Sequence, residues 1–141
     1  MSNMDDRKEV GESPITCEAD IVACRKLIRV AVTNAGFGVT DVTRIVTAVS
    51  ELARNIYVHA HDGVMRWQVH YQQGKVGIEL IFEDHGPGII DVEQAMQPGF
   101  TTAKSMGMGL PGVKRLMDEM LIRSEPGIGS IVTVKKWTRA K

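Results

Sequence analysis

Glu51 and Asn55 are the pair in this chain whose residue types and spacing most directly suggest chemistry. They stand four residues apart inside the apolar repeat Val42, Ile45, Val46, Val49, Leu52, Ala53 and Ile56, which is the spacing of a buried helical face. A carboxylate and an amide therefore project side by side, displaced from the apolar stripe toward whatever lies over its edge. The carboxylate can take a proton, and the amide oxygen can ligate a hard cation such as Mg²⁺. Glu and Asn are equally common on solvated faces, so the pair gains meaning only from what accompanies it.

Three glycine-bearing stretches accompany it. In Asp84-His85-Gly86-Pro87-Gly88 a carboxylate at a strand end precedes backbone open enough for a flat ligand to approach, although Pro-Gly is also ordinary type II turn chemistry. Gly107-Met108-Gly109-Leu110-Pro111 leads into a helical pattern, where backbone N–H groups and the helix dipole together favour an anion such as phosphate. Glycines also serve simply to enter a helix, and the same alternative holds for Gly127-Ile128-Gly129-Ser130 in a tight strand-to-strand turn. Between the first two stretches, Pro98 to Met106 carries Thr101, Thr102, Lys104 and Ser105 with little apolar periodicity and reads as a mobile lid. Lys104 could reach phosphates from there or stay solvated.

The elements that must position these residues follow from periodicity. Met1 to Ser13 is polar and reads as a disordered N-terminus, with an edge strand beginning at Pro14 to Cys17, so residues 14–141 form one domain. Asp20 is read as the N-cap of a first helix marked by Ile21, Cys24, Leu27, Ile28 and Ala31 and stopped by Gly36-Phe37. Asp41 is read as the cap of the Glu51/Asn55 helix, which runs to about Ala60 before His61-Asp62-Gly63 turns the chain. Two antiparallel strands follow: Met65, Trp67, Val69 and Tyr71 alternate with polar residues, and beyond Gln73-Gly74 so do Val76, Ile78, Leu80 and Phe82. Asp91 with Gln94 has the form of a capping box for a short helix. Val113, Leu116, Met117 and Met120 mark a later helix, and Ile131 to Trp137 is a last strand closing the sheet, with Lys135, Lys136, Arg139 and Lys141 as a solvated edge.

Composition narrows the function classes. A 141-residue chain that is 43% apolar, with a formal net charge of zero, suits one globular domain and makes no electrostatic case for nucleic acid or an anionic membrane. No apolar run reaches the length of a membrane span, and the charged start is unlike a signal peptide, so the expected location is cytoplasmic. Cys17 and Cys24 suggest neither a disulfide framework nor a metal knuckle, and His59, His61 and Asp62 fit a helix end better than a metal cluster.

In order, then, the chain offers a helical Glu-x-x-x-Asn, a strand-terminal Asp-x-Gly-x-Gly, a polar lid, Gly-x-Gly at a helix start, and Gly-x-Gly-Ser before a final strand. From Ile15 to Trp137 this resembles the N, G1, G2 and G3 boxes of the GHKL ATPase superfamily. Ser50-Glu-Leu-Ala-Arg-Asn-Ile-Tyr57 and Gly109-Leu-Pro-Gly-Val-Lys-Arg-Leu-Met-Asp-Glu119 resemble its bacterial anti-sigma-factor serine kinases and the switch kinases of the stressosome pathway. The resemblance implies an α+β fold, the Bergerat-type ATP-binding α/β sandwich, with a mixed, mainly antiparallel sheet covered by helices on one face. It implies ATP and Mg²⁺ as cofactors: Asn55 would hold the metal, Glu51 would accept the proton of a substrate serine, and Asp84, with Gly86 and Gly88, would receive adenine. Gly107, Gly109 and the Leu110 N–H would cradle phosphates, with Lys104 in reach; Pro111 offers no N–H, and Ser130 stands where the family usually has threonine. The implied activity is serine-protein phosphorylation in a partner switch. Its substrates would be STAS-domain antagonist proteins, and the released kinase would activate a metal-dependent protein phosphatase leading to sigma-factor control; a homodimer is compatible with this. Two alternatives stay open: an anti-sigma kinase that holds a sigma factor directly, and a non-catalytic module that uses nucleotide only as a structural ligand.

Overall fold

The computed structural model describes residues 8–87 and 109–139. In chain order these form β1 (Lys8–Ile15), α1 (Glu18–Ala35), α2 (Val39–His59), β2 (Gly63–Gln72), β3 (Lys75–Asp84), α3 (Gly109–Leu116), β4 (Glu119–Glu125) and β5 (Gly129–Arg139). The helix expected after Asp91 and the lid at 98–106 lie outside the described residues.

The five strands make one sheet in the order β1-β2-β3-β5-β4, and among the described residues every pairing is antiparallel, where the resemblance implied a mixed, mainly antiparallel sheet. Alternation along the strands separates two faces. Met65, Val69, Val76, Ile78, Leu80, Phe82, Val132 and Val134 are buried together with Ile28, Ile45, Val49, Leu52 and Ile56 of the long helices and Val113 of α3. The helices thus cover one face and the core lies between. The opposite face carries cross-strand ion pairs instead: Arg66 with Glu83, and Lys135 with Glu79 at 3.5 Å. No helix among the described residues is long and apolar enough to cross a membrane.

Several boundaries differ from the sequence reading. The first strand starts at Lys8 rather than Pro14, pairing from Lys8↔His70 to Ile15↔Gly63. An edge strand needs only one paired side, and Gly11 leaves room for the Trp67 ring, which a Cβ would meet at 2.4 Å; polar composition alone hid both conditions. Residues 1–7 lie outside the described residues. Asp20 is not the N-cap of α1, which begins after Cys17; its carboxylate reaches back to accept hydrogen bonds from the Thr16 N–H at 2.8 Å and hydroxyl at 2.9 Å. Asp41 likewise lies inside α2, paired with Arg44 at 3.1 Å, and Gly38 takes the cap position. The stop at Gly36 stands: its φ of 106° is left-handed, and Phe37 N–H donates to Val32 O at 3.1 Å. α3 ends at Leu116, so Met120 belongs to β4 rather than to the helix. β5 is an interior strand, and Lys136 is buried on the helix-covered face rather than forming a solvated edge.

Candidate functional site

α2 is the backbone of the site. Its apolar stripe from Val42 to Ile56 is buried, and Glu51, just off that stripe, is buried as well, at 6% exposure. The reason is α3, whose buried residues Leu110, Pro111 and Val113 pack this end of the core. The Gly109 N–H donates to Glu51 Oε2 at 3.3 Å, so an anionic side chain meets the positive end of a helix. Asn55, one turn further along α2, is half-buried. Arg54, between Glu51 and Asn55 in sequence, is exposed.

The second half of the site lies where β3 and β5 end. Asp84 pairs in register with Ser130, and its two carboxylate oxygens are both engaged: Oδ1 accepts the Gly86 N–H at 2.9 Å and Oδ2 accepts the Ser130 hydroxyl at 2.8 Å. Two glycines make this closeness possible. A Cβ on Gly129 would lie 2.2 Å from the Asp84 carbonyl oxygen, and one on Gly86 would lie 2.5 Å from the Ala60 Cβ at the end of α2. The turn at 127 closes onto the same place, with the Gly127 N–H donating to Pro87 O at 2.7 Å.

The sequence-predicted residues therefore fall into two groups joined by one helix. Glu51, Gly109 and Leu110 meet at the α2–α3 contact, with Asn55 one turn along; Asp84, Gly86 and Ser130 meet at the sheet end against Ala60. At 1.5 Å of rise per residue, α2 runs about 13 Å between Glu51 and Ala60, a span suited to an extended nucleoside triphosphate. Gly88, Lys104 and Gly107 lie outside the described residues. Sequence reasoning missed the close-packing role of Gly129, whose Gly-x-Gly signal was read as a tight turn and as one of the glycine boxes.

Three comparisons bear on this geometry. Residues 15–136 match the family described as the histidine kinase-like ATPase domain. The chain belongs to that family. Within it, the chain is 48% identical over 125 residues to the serine/threonine-protein kinase RsbT of Bacillus subtilis, covering 89% of this chain and 94% of RsbT. It is 38% identical over 105 residues to the anti-sigma F factor of Caldanaerobacter subterraneus, covering 70% of this chain and 72% of that protein. The solved structure of the RsbU and RsbW domains of Rv1364c from Mycobacterium tuberculosis shares the fold with a TM-score of 0.63 at 18% identity, spanning 94% of this chain and 33% of that longer one. As a histidine kinase-like ATPase domain the chain binds ATP.

Proposed function

We propose that the chain is an ATP- and Mg²⁺-dependent serine-protein kinase that works as a cytoplasmic partner switch. The observation that carries this reading is the meeting of a buried carboxylate, Glu51, with the N-terminus of α3 on the same helix that borders Asp84 and Ser130. A pure binding module has no need of a buried base beside an anion-favouring helix start.

The chain's residues divide the work by position. Asp84, held by Gly86 and Ser130, keeps lone pairs free to accept a hydrogen bond from the adenine amino group. The N–H groups of Gly109 and Leu110, with Gly107 and Lys104 as the sequence places them, hold phosphate oxygens, and Asn55 offers its amide oxygen to the metal. Bound MgATP supplies the transferable γ-phosphoryl group with its charge partly neutralised. Glu51 accepts the proton of the incoming serine hydroxyl, and the Gly109 N–H orients that carboxylate until phosphate competes for it.

The proposed substrates are STAS-domain antagonist proteins, bound when unphosphorylated. A phosphoserine placed in a tight interface breaks it by repulsion and desolvation, which frees the kinase to activate a metal-dependent protein phosphatase. The 38% identity to an anti-sigma F factor favours a second reading, in which the held partner is a sigma factor. Transfer of label from γ-labelled ATP to a purified STAS-domain protein tests both. Labelled serine is expected with the natural chain, and Glu51→Gln should reduce its rate by ~10²- to 10⁴-fold while leaving ATP binding in place. Capture of a sigma subunit with no label on any STAS protein would replace the first reading by the second.

A further inference from the structure

Both ends of α3 are tied to α2, and the tie at its far end runs through a buried lysine. At the near end the Gly109 N–H meets Glu51. Past the far end, Met117 is buried and Asp118 fastens the chain to β5: its N–H donates to Lys135 O at 2.9 Å, and its Oδ2 accepts the Trp137 N–H at 2.8 Å. Asp118 Oδ1 then faces Lys136 Nζ at 3.4 Å, and the same ammonium lies 3.9 Å from Asp41 Oδ1 in the first turn of α2. Asp41 and Glu51 are about 15 Å apart along α2, and the eight residues of α3 extend about 12 Å. The two helices therefore lie antiparallel, with a polar tie at each end.

Packing does not call for a charge at position 136. Its neighbours on the helix-covered face of β5 are Val132 and Val134, and an apolar side chain of similar length would fill the place without desolvating an ammonium. What the ammonium adds is a fixed separation between two carboxylates on different elements, which apolar contact, able to slide, does not set.

We propose that Lys136 is a positioning residue for the phosphate half of the nucleotide site. By holding Asp118 toward Asp41 it sets where α3 stands along α2, and so where the Gly109 and Leu110 N–H groups stand relative to Glu51 and Asn55. The inference rests on the phosphate role proposed above for the start of α3.

The test compares ATP with adenosine, which lacks the phosphates, on the full chain. ATP affinity is read by calorimetry and adenosine binding by its shift of the thermal unfolding midpoint. Lys136→Met and Asp118→Asn should each weaken ATP by on the order of ten- to a hundred-fold, as expected when a hydrogen bond to a charged phosphate is lost, while the adenosine shift stays as in the natural chain. Lys136→Arg, which keeps the charge, should restore most of the ATP affinity. Should Lys136→Met fail to fold, Asp118→Asn carries the test, because its amide oxygen still accepts the Trp137 N–H. Equal loss of ATP and adenosine, or no loss of ATP, would overturn the positioning role. If the natural chain binds ATP no better than adenosine, it is the phosphate role of α3 that fails.

Discussion

Asp84 is fixed from one side and open on the other. Gly86 and Ser130 each donate to a different oxygen, so the carboxylate cannot swing, yet each oxygen retains a lone pair for a ligand. Asp84→Asn keeps the shape but removes the charge and turns one acceptor into a donor, which must then face either the Gly86 N–H or the Ser130 hydroxyl. ATP affinity measured by calorimetry should fall on the order of 10- to 100-fold, the worth of a hydrogen bond to a charged group; unchanged affinity would remove Asp84 from base recognition. The sequence shows Asp84 because glycines follow it, and Ser130 because glycines precede it. It does not show that the two touch, since 46 residues separate them and only the β3–β5 register brings them together. Lys136 was hidden for a similar reason: in a run of basic residues its type suggests solvent, and its burial depends on β5 being interior.

Among the elements, the long helices were legible and their first turns were not. Apolar spacing of three and four residues marks α1 and α2 plainly, and Gly36 marks a stop, because each signal is local. An aspartate near a helix start fits either the cap position or the first turn, and only geometry decides between them. At the start of α1 the Thr16 N–H, and after it the Thr16 hydroxyl, hold the Asp20 carboxyl below its usual range, with Cys17 adding a smaller effect against slight desolvation. A depressed folded value means that the stabilisation is present above the unfolded carboxylate range and is lost as pH falls through the folded one. Asp20→Asn should therefore unfold at lower urea than the natural chain near neutrality, and the gap between the two should close in acid. A gap that persists to the lowest pH at which the chain folds would mean that the carboxylate charge is not what Thr16 uses. The same logic of local signals explains α3: Met120 falls on the helical period by sequence, yet Asp118 stops the helix by hydrogen bonding to β5.

At the scale of the whole molecule, α2 serves the core and also carries the proposed site. Its inner stripe packs the sheet, while Glu51 and Asn55 stand beside that stripe, so one rigid helix relates the α3 contact to the sheet end at Ala60. The strand order was beyond sequence pattern, because alternation tells which residues share a face but not which strand lies beside which. Ile45 tests how far the two roles are coupled. It is fully buried in the first half of α2, on the stripe and six residues before Glu51. Ile45→Ala should cost about 2–5 kcal/mol of stability through lost burial and the cavity left behind. Saturating ATP stabilises any folded form that binds it, by about 2.7 kcal/mol at a hundred times the Kd. If the helix merely carries the site, urea titrations should give the variant the same increment from ATP as the natural chain, because both bind through an unchanged Glu51-to-Ala60 span. A smaller increment in the variant would mean that packing under the first half of α2 sets the site's geometry, and that nucleotide binding and folding draw on one cooperative unit.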